Sequence, residues 1–142
     1  MTDCVFCRIV DGDLPSRTVY EDESVTAFLD ANPLAEGHTL VVPSDHYGTV
    51  GEMPDETRDA VFTAAGRLAS VVERSVDADA TTIGMNNGRA AGQEVPHAHV
   101  HLVPRSDGDG AGPLHALDWP RPDPSDDRLD DIAERISTGG RA

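Results

Sequence analysis

The 142-residue chain contains no lysine: its 11 basic residues are all arginine, and they face 18 aspartates and 8 glutamates, for a formal net charge of −15. A field of that sign repels nucleic acid and anionic membrane surfaces unless a local basic patch offsets it. The sequence has no such patch, so neither is expected as a partner. Aromatic residues are scarce at 4%, and there is no unbroken apolar run long enough to span a bilayer. Residues 1–30 also lack a basic segment followed by an apolar one, so export is not expected and the cytoplasm is the expected location. There are only two cysteines, Cys4 and Cys7, at C-x-x-C spacing. In a reducing compartment that spacing suits metal ligands or a redox pair better than a structural disulfide. An acidic surface without lysine repels itself in dilute buffer, whereas at about 1 M salt the Debye length falls to roughly 3 Å and the repulsion is screened. The composition therefore points to halophilic adaptation.

What remains is enough for one domain with a single core. Hydrophobic residues make up 38% of the chain, and they are periodically placed. Short apolar or β-branched runs at residues 17–20, 25–30 and 38–43 are predicted as strands, separated by acidic, Asn, Pro and Gly residues. Pro54 suits a first helical position, and Asp55 and Glu56 complement the positive end of a helix dipole. Val61, Phe62, Ala65, Leu68, Ala69 and Val72 follow at helical spacing, and this predicts one long helix ending near Ser75. Two more strands are predicted at Thr81–Met85 and His97–Val103. Leu129, Ile132, Ala133 and Ile136 predict a short helix after Ser125. His115 reads as an exposed linker residue, and Trp119 as an aromatic that anchors the tail by burial. Residues 1–105 read as the functional domain and residues 106–142 as an acidic, Gly- and Pro-rich extension. Strands with helices inserted between them give an α+β class, mostly antiparallel and five-stranded, with one long and one or two short helices.

The chemistry concentrates in His97-Ala98-His99-Val100-His101. Successive strand side chains point to opposite faces, so extended backbone here places the three imidazoles on one surface and the apolar residues on the other. Imidazole has the unperturbed pKa nearest neutrality and serves as nucleophile, proton donor or metal ligand. Upstream stand Asn86-Asn87-Gly88, Ala91-Gly92-Gln93 and Val95-Pro96, and downstream Pro104-Arg105. The N-terminal half adds Val19-Tyr20-Glu21-Asp22-Glu23, Ala27-Phe28-Leu29-Asp30 and Gly37-His38-Thr39-Leu40-Val41-Val42-Pro43.

This ordered set, running from Cys4 to Arg105, resembles the histidine triad (HIT) family of nucleotide hydrolases and transferases. The resemblance implies a homodimer with its sheet continued between protomers, and a purine nucleotide substrate held over the triad. It implies His99 as the nucleophile toward phosphorus, His101 as a phosphate contact and proton donor, and His38 as a histidine supporting the triad, although a buried structural role for His38 is equally compatible. Asp30 matches a ribose-binding position, and Asn86 and Gln93 match residues near the phosphate. The implied activity is hydrolysis or transfer on a nucleoside phosphoramidate or a dinucleoside polyphosphate through a phosphohistidine. A zinc-stabilised nucleotide-binding module with incidental turnover is the alternative. Cys4, Cys7, His46 and His97 form a Cys₂His₂ set suited to tetrahedral zinc, and some relatives with this N-terminal pattern bind zinc at the matching positions. A redox dithiol and free buried thiols remain open for the same cysteines.

Overall fold

The computed structural model describes residues 4–114 and 119–139, and the chain divides after Gly110 into two compact units. The first unit contains strands β1 (Thr18–Glu21), β2 (Val25–Leu29), β3 (Thr39–Pro43), β4 (Ala80–Gly84) and β5 (Val100–Arg105), with helices α1 (Val5–Val10) and α2 (Asp55–Ser75). Its sheet has the order β1-β2-β3-β5-β4, and every pairing is antiparallel. The second unit contains α3 (Asp126–Ser137), whose N-cap Ser125 accepts a hydrogen bond from the Arg128 backbone N–H.

Alternation along the strands divides the buried side chains between two faces. Val25, Ala27, Val41, Val100 and Leu102 pack against Val61, Ala64, Ala65, Leu68, Ala69 and Val72, the apolar stripe of α2. On the other face, Phe28, Leu40 and Val42 pack with Cys4, Phe6 and Cys7 from the α1 segment. The α2 face is a closed core. The α1 face is covered only in part, and the open part becomes the pocket described below.

The five strands and both the long and the C-terminal helices follow the sequence pattern, with differences of detail. Pro54 is the N-cap of α2 and not its first helical residue, since its carbonyl accepts from the Thr57 and Arg58 N–H groups. Ladder pairing in β5 begins at Val100, so His97 and His99 lie in the approach to the strand. The alternation nevertheless holds, with Ala98 joining Val100 and Leu102 in the α2 core. Helix α1 has no counterpart in the sequence reading, because six residues are too few to show a helical period. Trp119 is 58% exposed and is not anchored by burial. His115 lies outside the described residues. No described helix is long and apolar enough to cross a membrane.

Candidate functional site

Two turns and a helix cap bring the site together. Cys4 is the N-cap of α1 and accepts at sulfur from the Cys7 backbone N–H, 3.4 Å away, so the C-x-x-C spacing is one turn of chain folded back on itself. Gly37 has φ +93°, and a Cβ there would stand 3.0 Å from Val76 Cγ1 and 3.2 Å from Pro104 Cγ. Only glycine fits this turn, and the turn delivers His38 at the head of β3. Register then sets Leu40 opposite His101, so His38, two residues earlier on the same face, reaches His101.

The hydrogen bonds fix which nitrogen of each ring holds its proton. His97 Nε2–H donates to the Pro43 carbonyl at 2.8 Å, and this leaves the Nδ1 lone pair facing Cys4 Sγ at 3.4 Å and Cys7 Sγ at 3.5 Å. His99 Nδ1–H donates to the His97 carbonyl at 2.8 Å, so its Nε2 is the free base. His38 Nδ1 accepts from the Leu34 N–H at 3.0 Å, which puts the proton on Nε2, and that proton is donated to His101 Nδ1 at 2.9 Å. His101 therefore keeps its own proton on Nε2.

These assignments separate two clusters that look alike by composition. Cys4, Cys7, His46 and His97 hold their ligand atoms within 4.8 Å of one another, as do Asp30, His38 and His101. In the first cluster the histidine lone pairs face sulfur, and Cys7 Sγ lies 3.2 Å from His46 Nδ1. Tetrahedral zinc with ordinary Zn–S and Zn–N bonds sets neighbouring S and N ligands about 3.6 Å apart, close to the 3.2–3.5 Å seen here. His46 is exposed, and so gives an ion a way in. Burial and the adjacent Cys4 push the Cys7 thiol up to about 11, so without a cation that thiol stays protonated. The second cluster does not suit a metal ion. Stripping His38 Nε2 of its proton would break the match with the Leu34 N–H on the other side of the ring. It is a proton chain.

Burial lowers the His101 pKa to about 4, and the neighbouring His99 and His38 push in the same direction against the opposing pull of Asp30. His38 is lowered by burial as well, again opposed by Asp30, whose Oδ2 lies 3.7 Å from His38 Nε2. Both rings are neutral near pH 7.

A pocket of about 880 Å³ opens over His99 and His101. One end is apolar, lined by Val5, Phe6, Ile9, Phe28 and Leu29, with Asp30 beside it. The 92–95 loop and Asn86 line the pocket as well. Gly92, at φ +100°, lies against the Asn86 amide, where a Cβ would come within 3.8 Å of Nδ2. Gln93 lies in this loop, but its amide is already in use. Its Oε1 accepts from the Gly88 N–H, and its Nε2 donates to the Gly48 and Val95 carbonyls, each at 2.8 Å.

The structure thus gathers His38, His99, His101, Asp30, Asn86 and Gln93 around one pocket, and Cys4, Cys7, His46 and His97 into a separate cluster. Sequence reasoning missed Phe6, which meets the His99 ring edge-on at 5.0 Å and Phe28 at 5.4 Å. Its position between the two cysteines was the available signal. The carbonyls of Pro43 and His97 carry no sequence signature at all.

The HIT-domain family profile matches residues 11–108. HIT-like protein MJ0866 of Methanocaldococcus jannaschii is 48% identical over 107 residues, 75% of this chain and 82% of its own. Adenosine 5′-monophosphoramidase HNT1 of Saccharomyces cerevisiae is 34% identical over 133 residues, 94% of this chain and 80% of its own. The crystal structure of a HIT-family protein from Bacillus subtilis aligns with a TM-score of 0.85 at 37% identity, covering 99% of each chain. That of a Zn-bound histidine triad protein from Mycobacterium smegmatis aligns at 0.74 with 35% identity, covering 96% of this chain and 98% of its own. The profile match alone covers well over half of the sequence, and the chain belongs to the HIT-domain family.

Proposed function

We propose that the protein is a nucleotidyl hydrolase or transferase that cleaves the bond between a purine nucleoside 5′-phosphoryl group and an amine or a further phosphate. The observation that carries this reading is the His99 Nδ1–H bond to the His97 carbonyl, which leaves Nε2 as a lone pair at the pocket beside the His101 ring, 5.0 Å away between centroids. A neutral imidazole is a nucleophile only at its unprotonated nitrogen. Here the backbone fixes which nitrogen that is.

The apolar end takes the base, and the Asp30 carboxylate accepts hydrogen bonds from the ribose hydroxyls. His99 Nε2 attacks phosphorus as the bond to the leaving group breaks. The bound anionic phosphoryl group raises the proton affinity of His101, which in the free protein is held neutral by burial. His101 takes up a proton and passes it to the departing nitrogen or oxygen. Water then attacks the phosphohistidine and gives its proton to His101, while the P–N bond returns its electron pair to His99. Asn86 supplies an uncharged donor to the phosphoryl oxygens. Gln93, with both its donors committed, fixes the loop that carries Asn86 and Gly92.

Cys4, Cys7, His46 and His97 would hold a zinc ion with four protein ligands, and the ion would supply structural rigidity. The HNT1 and Mycobacterium smegmatis relatives support the activity and the metal respectively. A homodimer and a cytoplasmic location belong to the same reading.

The test is incubation with an adenosine 5′-phosphoramidate and a diadenosine polyphosphate, with the labelled enzyme trapped under acid-free conditions. A His99-dependent phosphohistidine supports the reading, and nucleotide binding without labelled protein from either compound overturns it in favour of a binding module. His99→Asn removes turnover by about a thousandfold or more while nucleotide affinity is kept.

A further inference from the structure

Among the described residues lining the pocket, and apart from its three histidines, only Arg17, Asp30 and Glu94 carry a formal charge. Their placement is uneven. The Arg17 carbonyl accepts from the Leu29 N–H at 3.0 Å, so its residue lies beside the end of β2 that leads to Asp30. Asp30 Oδ1 accepts from the Asn32 N–H at 2.8 Å, and its Oδ2 lies 3.7 Å from His38 Nε2. Glu94 lies on the 92–95 loop that also lines the pocket, between Gln93, whose amide pins the loop to three backbone groups, and Val95. It is exposed, and no hydrogen bond or ion pair joins its carboxylate to another described residue.

This layout has a consequence for the substrate that rests on the nucleotidyl-transfer reading above. With the nucleoside at the Asp30 end and phosphorus at His99, the leaving group extends along the 92–95 loop. The charge it meets there is the Glu94 carboxylate. Among the described residues, no cation lies on that loop to receive further phosphates.

We propose that Glu94 is a specificity-determining residue that favours leaving groups bearing a positive charge, such as an amine with a second ammonium group, over anionic ones such as a nucleoside polyphosphate. Unit charges about 4 Å apart in a water-like dielectric interact by roughly 1 kcal/mol, which is about fivefold in rate for each unit of leaving-group charge.

The test uses three adenosine 5′-phosphoramidates that differ only in the amine: 1,4-diaminobutane, butylamine and 4-aminobutyrate. For the unaltered protein kcat/KM falls in that order, about fivefold at each step. Glu94→Gln flattens the series and Glu94→Lys inverts it. Because Glu94 is exposed, neither change threatens folding, and unchanged circular dichroism checks this. A series that keeps its slope in Glu94→Gln, or that is flat in the unaltered protein, overturns the role of Glu94 while the butylamine compound still turns over. Failure of all three compounds overturns the nucleotidyl-transfer reading and this inference together.

Discussion

His97 is bound at both ends: its ring Nε2–H donates to the Pro43 carbonyl at 2.8 Å, and its own carbonyl accepts from His99 Nδ1–H at 2.8 Å. One residue therefore couples the cysteine turn to the orientation of the neighbouring ring. Nδ1 of His97 is the atom offered to Cys4 and Cys7, so an ion there would hold the backbone from which His99 hangs.

A four-ligand ion has no open position for substrate, and this makes a definite prediction for the cysteines. The unaltered protein binds about one zinc per chain, and Cys4→Ser or Cys7→Ser removes it. Zinc at a hundred times its Kd adds about 2.7 kcal/mol of stability, which appears as a drop in Tm on chelation that the serine variants do not show. Phosphohistidine formation is reduced but still detectable in those variants. Its complete loss, with folding intact, would assign the metal to the chemistry instead.

The neutral His101 predicts a pH dependence whose sign follows from proton counting. Its folded pKa of about 4 lies below the unfolded value of 6.5, so between those two pH values the unfolded chain binds more protons. Stability is fully present above about pH 6.5 and is lost as the pH falls toward 4, and His38, lowered by burial, acts in the same sense. The ring is partly open to solvent, so its share is about 1–2 kcal/mol and not the full value of the shift. Chemical denaturation of the unaltered protein and of His101→Asn, at matched zinc and salt, gives stability curves that converge as the pH is lowered through this window. Parallel curves would show that His101 titrates normally.

The pattern of apolar residues was sufficient for the sheet because β2, β3 and β5 keep period 2 with one face on α2, and sufficient for α2 because its six buried positions keep one stripe. The site was legible where side chains do the work: His99, His101, His38 and Asp30 meet at one pocket as their motifs imply. It was illegible where the backbone does the work. The carbonyls of Pro43 and His97 and the Leu34 N–H decide the tautomers of His97, His99 and His38, and any residue type presents them. Helix α1 was hidden for a related reason, since it is stabilised by a cysteine cap and by Phe6 packing on Phe28 and not by a repeating stripe.

Gln93 illustrates the same limit and yields a prediction of its own. Its motif suggests a phosphate donor, while its buried amide satisfies Gly88 N–H, Gly48 O and Val95 O. Leaving such groups unpaired costs about 1–3 kcal/mol each where water cannot replace the bond. Gln93→Ala is therefore expected to lower stability by about 2–3 kcal/mol and to raise amide exchange across residues 86–95. If it weakens nucleotide binding with no change in Tm, the side chain is a ligand contact after all.

The lysine-free, strongly acidic surface leads to the last prediction, that the fold depends on salt. With 26 acidic residues against 11 arginines, repulsion between carboxylates outweighs their attraction to the arginines. The described ion pairs relieve little of it, because Arg58–Asp55, Arg105–Asp109 and Arg128–Asp131 link residues three or four apart and do not bridge distant elements. Raising ionic strength from 0.1 M to 1 M shortens the screening length from about 10 Å to about 3 Å, below the spacing of most surface charges. Tm is expected to climb steeply over that range in KCl and NaCl alike, then flatten. Replacing exposed aspartates such as Asp59, Asp77 and Asp123 by asparagine raises the low-salt Tm and shrinks the slope. A Tm indifferent to KCl would show that the composition is not an adaptation to high salt.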